Sequence, residues 1–71
     1  MLKIAIVIDV WKLPIFERHL TQAGYQFENE GPLSQLTPDT LILRVDTTNA
    51  KALEVVVRAA NDEAKRTGAP T

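Results

Sequence analysis

The chain has 71 residues, 45% of them apolar and 24% charged, the balance of a packed globular domain rather than a disordered segment. Eight Lys and Arg against nine Asp and Glu give a net charge of -1 and a pI near 5.7, which argues against a surface built to neutralise nucleic-acid phosphates. Zero cysteines exclude disulfides, thiolate metal ligands and cysteine nucleophiles together, and the length accommodates a single domain, 1–71, with a thin stability margin that self-association would widen.

Residues 3 to 8 are dominated by β-branched side chains and end at Asp9, so they predict a first strand. The apolar run within them, Ile4 to Ile8, is five residues long. A secretory signal needs about 7 to 15 apolar residues and a membrane span about 20, so the chain is expected to be soluble and cytoplasmic. From Leu13 the spacing becomes helical: Leu13, Phe16, Leu20 and Ala23 share one stripe. Pro14 fits the first turn of such a helix and Gly24 its stop, which predicts a first helix over 13–23.

Tyr25, Phe27 and Asn29 then alternate with Gln26, Glu28 and Glu30, the period-two pattern of a second strand with one wet face. Gly31, Pro32, Ser34, Pro38 and Asp39 crowd the next nine residues with turn formers, so 31–39 is expected to be a loop. Residues 40 to 45 return to β-formers and predict a third strand. Thr48, give or take a residue within a run of capping residues, is expected to cap a second helix that ends near Thr67 with Gly68 as its stop. Leu53, Val56, Val57, Ala60 and Ala64 form its apolar face, and Glu54, Arg58, Asp62 and Arg66 succeed one another on its outside.

The order β-α-β-β-α predicts an α+β fold. A right-handed crossover from the first strand leaves a gap that the third strand fills, giving an antiparallel three-stranded sheet in the order 1-3-2 with both helices on one face. That is a ferredoxin-like sheet lacking its fourth strand, an architecture that hosts many unrelated functions.

Uses of this topology can be checked against the residues. RNA-recognition sheets resemble it but stack bases on aromatic side chains of the first and third strands, where this chain has Ala5, Val7, Ile42 and Arg44; nucleic acid is not expected as a partner. Acylphosphatases are similar in topology and cradle phosphate with an arginine after the first strand, where this chain has Asp9, Val10, Trp11 and Lys12. ACT-type regulatory domains also resemble the βαββα order and bind amino acids at the loop between the first strand and first helix, usually through a glycine that this loop lacks.

His19 is the single histidine, expected at the edge of the first helix's apolar stripe against the second helix or solvent, and no metal site or cofactor is expected. Glu28 and Glu30 read as edge protection rather than an acid-base pair. Asp9, Trp11 and Lys12 are the candidate ligand-binding residues, because binding groups collect in loops at strand ends. The packing alternative has Trp11 closing the end of the core and Asp9 bonding the backbone N–H groups of the turn. Leu33 and Leu36 in the 31–39 stretch are expected to cover the core or to meet a partner.

The favoured expectation is a non-enzymatic interaction module, homodimeric through its sheet, with Ala5, Val7, Ile42 and Arg44 as the candidate interface; a different protein partner is a lesser one. The second expectation is an ACT-like ligand-binding or regulatory domain with its site at Asp9, Trp11 and Lys12.

Overall fold

A computed structural model describes residues 1–68. Strand β1 (Leu2–Asp9) runs into a one-turn 3-10 segment (Val10–Lys12) and helix α1 (Leu13–Gln22). Strands β2 (Gln26–Ser34) and β3 (Thr37–Thr47) form a hairpin, and helix α2 (Ala50–Thr67) follows. The fold is α+β with one antiparallel sheet in the order β1-β3-β2. No helix among the described residues is long and apolar enough to cross a membrane.

β3 is the central strand and the most buried: Leu41, Leu43, Val45 and Thr47 all point under the helices. Its neighbours on that face are Ile4, Ile6 and Ile8 of β1, opposite Val45, Leu43 and Leu41, together with Phe27 of β2 opposite Val45. Phe16 and Leu20 of α1 and Leu53 and Ala60 of α2 close over them. Ala23 does not join the stripe: it is the exposed C-cap of α1, where Gly24 takes φ +83° and ends the helix.

The cap of α2 lies one residue after Thr48, within the expected span. Asn49 is the N-cap, its Oδ1 accepting from the N–H groups of Lys51 (3.0 Å) and Ala52 (3.3 Å). The buried Thr47 hydroxyl donates to the Asn49 carbonyl and accepts from its N–H, both at 3.0 Å, which fixes the angle at which β3 enters α2.

The expected loop over 31–39 is a correction. β2 continues to Ser34 and β3 begins at Thr37, so most of this stretch is the distal arm of a hairpin. Gly31 at φ +89° and the extra residue Glu30 make a bulge, with Asn29 Oδ1 accepting from the Gly31 N–H at 2.8 Å. Pro32 sits just past it on an edge strand, where a missing donor is tolerated. Turn formers accumulate here because the strand bends, and the ladder continues through them. Leu33 and Leu36 do not cover the core; both are exposed, Leu36 at 93%.

Candidate functional site

The end of β1 carries the three candidate ligand-binding residues, and the structure brings them together. Asp9 caps the 3-10 segment in an extended conformation, but its side chain accepts no hydrogen bond from that turn. It contacts Lys12 instead, Oδ2 to Nζ at 3.7 Å. The same Nζ lies 5.5 Å from the centre of the Trp11 ring, a cation-π contact. Lys12 is therefore held between a carboxylate and an indole, and Trp11 is half-buried.

Trp11 separates two shallow depressions. One, of about 380 Å³, lies between Asp9, Lys12 and the end of α2 at Ala64 and Lys65; the other, of about 460 Å³, lies between Asp9, Val10 and Asp39. Their size suits a small ligand, yet both are open and few polar groups converge in them. The Asp9 and Lys12 charges neutralise each other. The geometry offers an aromatic plane and a long, partly exposed ion pair, a constellation that can stiffen a corner but does not converge several polar groups on one small molecule.

The sheet face opposite the helices holds the candidate interface residues. Ala5 stands opposite Arg44 and Val7 opposite Ile42, with Lys3 opposite Asp46 at the far end. Val7 is 54% exposed. Arg44 is engaged within the chain: Nε and a terminal nitrogen reach Glu30 Oε1 at 2.9 and 2.8 Å. The hydrogen bond to Glu30, and then its charge, raise the Arg44 pKa above its ordinary value. This face divides into an apolar half around Val7 and Ile42 and a charged half around Arg44, Glu28 and Asp46.

Of the two settings expected for His19, the second helix and solvent, the structure has the first. Its Nε2 lies 3.0 Å from Glu63 Oε1 on α2, while the other Glu63 oxygen accepts from Arg18. Glu63 went unnoticed in the sequence because its partners lie 44 and 45 positions away and no local spacing announces them. Among the described residues no group of three or more His, Cys, Asp or Glu gathers in a way that would hold a metal ion.

A further feature absent from the sequence reading lies at the outer edge of β1. Ile4 and Ile6 are only half-buried and, with Leu53 and Val57 of α2, line an almost wholly apolar groove of about 260 Å³ with Glu54 at its rim. Comparison of the chain with protein-family models, with curated proteins and with solved structures finds no match in any of the three.

Proposed function

We propose that the chain is a small, soluble, cytoplasmic, non-enzymatic interaction module of truncated ferredoxin-like topology that acts as a two-fold homodimer through its sheet. The observation that carries this reading is the state of β1. It lies at the edge of the sheet, pairs with β3 without a register shift from Leu2 to Asp9, and contains no proline, no glycine and no charge between Lys3 and Asp9. A regular apolar edge of this kind is a template for another strand, and proteins that keep such an edge free normally blunt it. The adjoining groove and the exposed Val7 add apolar surface at the same place.

Pairing through the edge fits better than stacking of the open faces. Stacking would bring the Lys3, Arg44, Asp46, Glu28 and Glu30 charges of both copies out of water, whereas edge pairing leaves that face wet. Light scattering across the micromolar range is expected to give about twice the chain mass of 7.9 kDa. A monomer at every accessible concentration overturns the proposal.

A further inference from the structure

The edge also specifies how two copies meet, an inference that rests on the dimer just proposed. In an antiparallel ladder, residues directly opposite each other point to the same face. A two-fold axis normal to the sheet puts the helices of both copies on one side. Odd-numbered residues of β1, which face away from the helices, must then oppose odd-numbered residues of the second copy.

That parity leaves few registers, and charge separates them. Centred on Ala5, the ladder sets Lys3 against Val7 of the second copy and pushes Asp9 out to Met1. Centred on Val7, it sets Lys3 past the end of the facing strand and Asp9 against Ala5. Centred on Ile6, it sets Lys3 against Asp9 in both directions, Ala5 against Val7, and Ile4 against Ile8. We infer that β1 self-pairs in the Ile6-centred register, making a continuous six-stranded sheet latched at both ends by Lys3 and Asp9 of opposite copies.

Two features of the fold fit this register. The Asp9 carboxylate is 55% exposed and holds Lys12 only at 3.7 Å, so it can take a second cation without breaking its first contact. The apolar groove lies on the helix side of this edge, between Ile4, Ile6, Leu53 and Val57. The two-fold axis would pass between the two Ile6 residues and bring the grooves of both copies face to face, so that each covers the other.

The absence of cysteine makes the register directly readable. Ala5 and Val7 are both exposed on the open face, where substitution by cysteine leaves the core intact. An oxidised mixture of Ala5→Cys and Val7→Cys chains should give a disulfide-linked heterodimer by mass spectrometry, while neither variant alone crosslinks. Crosslinking of Ala5→Cys alone or of Val7→Cys alone would put the axis at those residues and overturn the inference. A native chain that is dimeric while no combination crosslinks would overturn the Ile6-centred register, the result expected of stacked faces, since sheets stack about 10 Å apart and a disulfide spans Cα atoms no more than about 7 Å apart. A native chain that is monomeric throughout would instead overturn the underlying dimer, so the two failures are distinct.

Discussion

The two edges of this sheet are built to opposite rules. On β2, the bulge at Glu30, the positive φ of Gly31, the ring of Pro32 and the carboxylates of Glu28 and Glu30 interrupt the outer ladder at successive positions. β1 has none of these devices between Lys3 and Asp9, the charged residues at its ends. One edge carries features that turn further strands away, and the other lacks them along its middle. The difference shows that guarding an edge is a local matter of sequence, since both strands flank the same central β3 and share one core.

Both edges depend on that core, and the largest expected effect is its loss. Phe16→Ala or Leu20→Ala removes a side chain that is essentially fully buried and should cost about 2 to 5 kcal/mol, most of the stability of so small a domain. Chemical denaturation measures it. Two variants that melt within a few degrees of the parent would mean that α1 does not pack as described.

The guarded edge can be weakened next. Gly31→Ala meets no atom within 4 Å of the added carbon, so its cost is conformational, about 1 to 2 kcal/mol for forcing an L-residue to φ +89°. Thermal melting should report this loss while the mass in solution is unchanged, because the bulge lies on the far side of β3 from β1. A change of oligomeric state in this variant would place the interface on β2.

The receptive edge is probed by charge. Lys3→Glu or Asp9→Lys alone sets like charges opposite each other twice per dimer and should raise the dissociation constant about tenfold at low salt, while the double variant recovers most of the affinity. The effect should shrink in high salt as the exposed pairs are screened. Losses that add in the double variant instead of cancelling, measured by sedimentation, would deny the latch. The smallest effect is expected from Val7→Lys, within about 0.5 kcal/mol of the parent in stability for an exposed position and still dimeric by light scattering. Dissociation of that variant would favour stacked faces over paired edges.

How far the sequence speaks for itself can be judged from the same strands. β1 was legible because a short β-branched run ended by Asp9 has one reading, and α2 was legible because five apolar residues fall on one stripe between a polar cap and a glycine. The distal hairpin was not. Glycine and proline mark any departure from ideal backbone geometry, and a bulge in an edge strand uses the same residues as a loop; only the partner strand distinguishes them. At the candidate ligand site, the sequence placed Asp9, Trp11 and Lys12 in one short connection but could not show that the carboxylate turns to Lys12 rather than to the backbone. Should the chain prove monomeric, the tail 68–71 is the remaining candidate to cover β1; its residues 69–71 lie outside the described residues.

The sequence by itself determined the order of elements, the helix faces apart from Ala23 and the strand order 1-3-2, because periodicity, capping and the handedness of crossovers are local or nearly local constraints. Tertiary structure decided the rest. It paired Glu63 with Arg18 and His19 across 44 to 45 positions, bent β2 around Glu30 to meet Arg44, and left Ile4 and Ile6 half-covered beside α2. Each of these depends on which side chains two distant segments bring to the same place, and the spacing of residues along one chain carries no record of that distance.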